Sequence, residues 1–172
     1  MALDATVGGS ASNSYVSLAD AEAYFADRLG ASDNGNWNKD SSGNNRSNAT
    51  KEAALVTATR RTDEEQFAGY KASTTQALKW PRINVRNEDG YMFDPAFIPE
   101  RVKQAVYITA LELLRANFLD ENYLDNVDFM STGTVQIKQF TQSSPGKLPA
   151  EARRLLRLVL VAGGFTGRIV RA

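Results

Sequence analysis

From Ile98 to Phe118 the chain carries apolar residues at three- and four-residue spacing around most of a helical circumference. Val102, Ala105, Val106, Thr109, Ala110, Leu113 and Ala116 form one stripe, which Ile108, Leu111, Leu114 and Phe118 widen. A helix that is apolar on so many sides is packed between partners, so the rest of the fold is expected to assemble around it. Ile98-Pro99-Glu100 marks its start, because proline at the first helical position has a fitting φ and gives up no needed N–H.

Three further helices are expected. Ser17-Leu18-Ala19-Asp20 is an N-terminal capping pattern. The helix it opens runs through Ala21, Tyr24, Phe25 and Leu29 to a stop at Gly30. A second begins near Thr50, carries Ala53, Ala54, Leu55, Ala58 and Thr59, passes Asp63-Glu64-Glu65 and Phe67, and ends at Gly69. A last helix starts at Leu148-Pro149, carries Ala152, Leu155, Leu156, Val159 and Leu160, and ends at Gly163-Gly164. Between the first two lies a run of turn formers, residues 31–48, whose single large apolar residue is Trp37. Residues 70–98 show no sustained period.

Val135 and Ile137 alternate with Gln136 and Lys138 in a strand expected over 133–141, with Phe140 on the opposite face. One strand cannot satisfy its own edges, so it needs a partner elsewhere in the chain or in a neighbouring subunit. Where that partner is a neighbouring subunit, Val135, Ile137 and Phe140 are the residues of an inter-subunit strand. The fold class is therefore mainly α: a small bundle of about four helices with a short β element, a flexible N-terminal arm and a C-terminal tail. The expected boundaries are residues 1–14 for the arm, 15–162 for the helical domain and 163–172 for the tail.

Composition narrows function. In 172 residues there is no Cys and no His, which removes disulfides, thiolate nucleophiles, the commonest metal ligand and the usual near-neutral general base. Lys and Arg number 20 against 20 Asp and Glu, so no basic excess drives nucleic-acid binding. No stretch reaches the roughly 18 apolar residues of a membrane span. The N-terminus lacks a secretory layout, and the chain reads as a cytosolic product.

Other candidate chemistry is thin. Asp63-Glu64-Glu65 reads as a solvated face, because adjacent helical residues point apart. Asn36 to Ser47 fails as a calcium loop, with Ser41 and Ser47 where a glycine and a bidentate acid are needed. Gly163-Gly164-Phe165-Thr166-Gly167 follows a helix, unlike a phosphate cradle. No cofactor is implied. Lys79-Trp80-Pro81-Arg82, with Arg86 and Arg60-Arg61, could stack bases and hold phosphates; the other reading packs Trp80 on the helices, uses Pro81 as a bend and ion-pairs Arg82. The tail places Phe165, Ile169 and Val170 among Arg168 and Arg171. It cannot bury them alone, and many identical tails acting together bind where one would not.

Asn13-Ser14-Tyr15-Val16-Ser17-Leu18-Ala19-Asp20-Ala21-Glu22-Ala23-Tyr24-Phe25, then Trp37, Lys51-Glu52-Ala53-Ala54-Leu55, Ala77-Leu78-Lys79-Trp80-Pro81-Arg82, Asp89-Gly90 and Ile98-Pro99 occur in an order that resembles a tailed-phage family often labelled "DnaT-like single-stranded-DNA-binding". Its members are similar in size and layout to head–tail connector (adaptor) proteins of phage virions. The resemblance implies a non-enzymatic subunit of a twelve-membered homo-oligomeric ring in the virion neck. The ring would sit below the portal protein, meet a tail-side connector, stopper or tail terminator, and carry DNA through its lumen without sequence-specific binding. It further implies portal docking by Phe165, Arg168, Ile169, Val170 and Arg171, with Trp80-Pro81-Arg82 as a structural bend. The alternative function is a single-stranded-DNA-binding accessory protein that uses Trp80 and Arg82.

Overall fold

In the computed structural model of the chain the described residues are 2–28, 37–115, 129–132, 135–138 and 148–161, the strands within 129–138 by backbone alone. The chain is mainly helical. Helix α1 covers Leu18–Ala26, α2 Asn48–Glu64, α3 Glu100–Arg115 and α4 Ala150–Leu156. Two antiparallel ribbons accompany them: β1 (Tyr70–Lys71) with β2 (Arg82–Ile83), and β3 (Phe129–Thr132) with β4 (Val135–Lys138).

Helix α3 is the central element, packed against both α2 and α4. Every residue from Ala105 to Leu111 is buried, as are Val102, Leu113 and Leu114. Each fully buried aliphatic side chain of this kind contributes about 1.5–3 kcal/mol of transfer free energy, so this helix alone supplies a large part of the driving force. The N-terminus of α1 forms a reciprocal cap: the Asp20 N–H donates to the Ser17 hydroxyl, and the Ser17 N–H donates to the Asp20 carboxylate.

An aromatic cluster joins α1, α3 and the loop before α2. Phe25 stacks on Trp37 with centroids 4.5 Å apart, and Tyr24 stacks on Tyr107, also at 4.5 Å. Trp37 is fully buried. The Lys51 ammonium lies 5.5 Å from its ring centroid and donates to Glu22 Oε1 at 2.6 Å and Asn38 Oδ1 at 2.7 Å. A cation over an indole face is attracted by the ring quadrupole. The part of the loop after residue 36 is thus anchored by one aromatic side chain. It is also tied by Arg46, which donates to the carbonyls of Lys39 and Leu114.

Residues 2–14 contain no helix or strand and turn back on themselves. The Asn13 and Ser14 amides both donate to the Asp4 carbonyl, and the Ala77 amide donates to Gly9 O at 3.0 Å.

Two helices stop earlier than the sequence suggests, for one shared reason. Helix α2 ends at Glu64 rather than Gly69, and α4 at Leu156 rather than at Gly163-Gly164. The segments that follow pair with each other: the Ala68 amide donates to Val159 O and the Val161 amide to Gln66 O, both at 2.8 Å. Satisfying these backbone groups by cross-pairing while Phe67 and Val159 are buried outweighs another helical turn on either side. Helix α1 ends at Ala26, with Asp27 at its C-cap; the expected Leu29 and Gly30 lie outside the described residues.

Strand β4 falls within the expected 133–141, whose residues 133, 134 and 139–141 lie outside the described ones, and β3, in register Met130↔Ile137 and Thr132↔Val135, is its partner. On that edge the same chain pairs Val135 and Ile137, so no neighbouring subunit is required there. Phe140 lies outside the described residues.

Candidate functional site

The segment Lys79-Trp80-Pro81-Arg82 is the place where two functional readings of the sequence diverge. Trp80 is 1% exposed and meets Phe67 edge-on at 5.7 Å and Phe93 at 6.2 Å. A base-stacking platform needs at least one ring face open to solvent, and this indole has none. Pro81 is buried too, with a cis Trp80–Pro81 peptide, and its ring lies against Gly8 of the N-terminal segment.

Arg82 is buried, and its guanidinium is committed to backbone. Nε donates to Ala68 O at 2.6 Å, Nη2 to Gly69 O at 2.6 Å and Phe67 O at 3.3 Å, and Nη1 to Lys79 O at 3.2 Å. A planar fork with five donors suits such a set of acceptors, which an ammonium could not match. Burial pushes the Arg82 pKa down, against the opposing charges of Tyr15 and Asp63. Among the described residues no carboxylate pairs with it directly, and carbonyls, mainly from the post-α2 segment, take the place of the ion pair suggested by the sequence.

The neighbouring cations are spent in the same way. Lys79 Nζ donates to Glu65 O at 3.0 Å, Lys71 Nζ to Gln76 O at 3.2 Å, and Arg86 Nη1 to Gly90 O at 2.6 Å. Arg60 is exposed on α2, while Arg61 is half-buried. The structure therefore does not bring the suspected phosphate holders together on one open surface.

Beneath the bend lies a polar hub that the sequence did not reveal. The Tyr15 hydroxyl donates to Asp63 Oδ1, the Lys79 amide donates to the same oxygen at 2.9 Å, and the Trp80 amide donates to the Tyr15 hydroxyl at 3.2 Å. Burial raises the Tyr15 pKa far above its ordinary value, and the Asp63 charge adds to this. Asp63 is thus a structural acceptor, whereas Glu64 is exposed; Glu65 reaches Arg153 at 3.9 Å. The Asp63-Glu64-Glu65 run, read as a solvated face, divides into three different environments.

The exposed apolar side chains are a second feature missed by the sequence reading. Tyr91 is 73% exposed, Tyr70 69%, Phe97 66% and Met92 52%. Tyr70 and Ile83 are register partners across β1–β2, hence neighbours on one face of the ribbon. Tyr91 and Met92 sit on a hairpin closed by the Arg86–Met92 bridge and the turn Asn87–Gly90. At the other end of the chain Leu158 and Val161 are also exposed. The docking residues implied for the tail, Phe165, Arg168, Ile169, Val170 and Arg171, lie outside the described residues.

Among the described residues no group of three or more acidic side chains could hold a metal ion, and no helix is long and apolar enough to cross a membrane. The body is mainly helical, with the cations around Trp80 bonded to backbone carbonyls and several large apolar side chains exposed. The chain belongs to the family described as "Putative DnaT-like ssDNA binding protein", whose model matches residues 1–172. No curated protein and no solved structure matches the chain.

Proposed function

We propose that the chain is a non-catalytic assembly subunit, the head-to-tail connector of a tailed bacteriophage, working as a ring below the portal. The observation that carries this reading is the set of large apolar side chains left in water: Tyr70, Tyr91, Met92 and Phe97 are all more than half exposed. A lone soluble domain gains nothing from such exposure, whereas a subunit buries these groups against neighbours. The ordered resemblance of residues 13–118 to the phage family supports the same reading. In this proposal Phe165, Arg168, Ile169, Val170 and Arg171 dock on the portal, the opposite rim meets a tail-side protein, and DNA slides through a lumen lined by acidic groups.

The second reading, a single-stranded-DNA-binding accessory protein, is favoured by the family's description. The burial of Trp80 and the carbonyl ligation of Arg82 oppose the route by which the sequence would achieve it.

Electron microscopy of the purified protein, alone and mixed with the portal of the same virus, tests the first reading. Rings seated on the portal are expected, and deletion of residues 164–172 should abolish seating while leaving the body folded. Protein that never associates with portal, yet binds poly-dT with an affinity that falls steeply with salt, would replace the connector reading by the second.

A further inference from the structure

Two exposed apolar patches of this chain carry opposite charge. The first is the hairpin and the approach to α3, a stretch in which Tyr91, Met92 and Phe97 are exposed together with the carboxylates Asp89 and Asp94, while Glu88 is ion-paired with Arg101. Arg86 is the one cation within residues 86–97; it is exposed, and its guanidinium donates to Gly90 O at 2.6 Å. The second patch is the C-terminal end of α4, where Leu158 and Val161 are exposed beside Arg153, Arg154 and Arg157. Arg153 reaches Glu65 at 3.9 Å, while Arg154 and Arg157 have no partner among the described residues.

Within one molecule neither patch covers the other, as the exposures show. Both have an apolar centre with charge around it, the usual layout of a protein interface. Their signs are complementary, and the chain as a whole is neutral, so two copies approach without net repulsion.

We propose that the acidic hairpin patch around Tyr91, Met92 and Phe97 docks onto the basic α4 patch around Leu158 and Val161 of a second copy of this chain. The contact joins two different surfaces, so repeating it from copy to copy builds a ring or an open filament. The inference rests on the assembly reading above and supplies the contact between its subunits.

Charge reversal tests it. Sedimentation velocity of the full chain, of Asp89→Arg with Asp94→Arg, and of Arg154→Asp with Arg157→Asp should show association in the parent and at least about tenfold weaker association in each reversed protein. An equimolar mixture of the two reversed proteins should associate again, because each presents one intact patch and one inverted patch matching its partner. All four side chains are exposed, and unchanged melting curves verify that the variants fold. A parent that stays monomeric, reversed proteins that associate like the parent, or a mixture that does not recover would each overturn the proposal. If the α4 reversal instead abolishes poly-dT binding and leaves self-association intact, the basic patch is a nucleic-acid face and the proposal fails. Self-association that follows the charges without attachment to portal would sink the connector reading and keep this contact. Portal-bound rings formed by both reversed proteins would do the opposite.

Discussion

Replacing Arg82 by Lys separates the structural and DNA-contact roles of that side chain with one atom-level change. The guanidinium makes two short bonds of 2.6 Å, to Ala68 O and Gly69 O, and two longer ones of 3.2 and 3.3 Å. Hydrogen bonds involving a charged group contribute about 1.5–3 kcal/mol each in net terms, so the two short bonds together contribute about 3–6 kcal/mol. An ammonium on a shorter stem can retain one such bond. Several of the carbonyls are partly buried and recover some water. The expected cost of Arg82→Lys is therefore about 3 kcal/mol, equivalent to a Tm roughly 6–12 °C lower for a chain of this size. Urea denaturation followed by far-UV circular dichroism measures it, with an unchanged m-value showing that the unfolding reaction is the same. A phosphate contact predicts the reverse pattern, because lysine retains the charge and an exposed side chain has no carbonyls to lose. A variant within about 1 kcal/mol of the parent would refute the assignment of Arg82 as the clamp of the post-α2 segment.

Gly69 has φ +70°, and a Cβ there would meet the Ile83 carbonyl oxygen inside van der Waals distance and stand 2.7 Å from Val85 Cγ2. Gly69→Ala should cost at least about 1–3 kcal/mol in the same denaturation assay, and a neutral result would show that β1 and β2 do not approach as described. The raised Tyr15 pKa gives an alkaline signature. Below about pH 10 both folded and unfolded Tyr15 hold the proton; above it the unfolded chain releases the proton first, so stability falls as pH rises, by up to about 1.4 kcal/mol per unit for this group. Tyr15→Phe should be less stable at neutral pH yet decline more gently between pH 10 and 11, and parallel decline in the two proteins would deny Tyr15 its buried bond to Asp63. Leu113→Asp places an unpaired charge in a buried site of α3 and should abolish cooperative unfolding, as checked by calorimetry.

Legibility in the sequence tracked the range of the interactions. Helix α3 was readable because its apolar stripe repeats over many turns, and α1 because the cap at Ser17 and Asp20 is local chemistry. The end of α2 was misplaced for a physical reason: Gly69 looks like a helix stop, but its role is to let β1 pass close to the Ile83 carbonyl, a contact the local pattern does not encode. Strands β1 and β2 have two residues each, too few for a period-two signal. Tyr15 and Asp63 are 48 positions apart, and nothing near either residue announces their bond. Lys79-Trp80-Pro81-Arg82 was recognisable as a special segment, yet its two readings stayed open, because the fate of an arginine depends on which carbonyls the fold brings to it.

Base stacking with phosphate neutralisation requires aromatic faces and free cations in the same place, and this fold keeps them apart among the described residues. Trp37 and Trp80 are buried. Tyr91 and Phe97 are open to solvent, but the carboxylates of Asp89 and Asp94 are exposed in the same stretch and repel a phosphate backbone, while Glu88 is paired with Arg101. Tyr70 is open as well, although the ammonium of adjacent Lys71 is held by the carbonyls of Gln76 and Ala77. Where exposed guanidinium groups do cluster, at Arg154 and Arg157, the accompanying apolar side chains are the aliphatic Leu158 and Val161, which offer no π-face. Each half of a nucleic-acid site is thus next to the wrong companion, whereas each is a serviceable half of a protein–protein contact. That separation of open aromatic faces from clustered guanidinium groups is the physical ground on which the proposed assembly role rests.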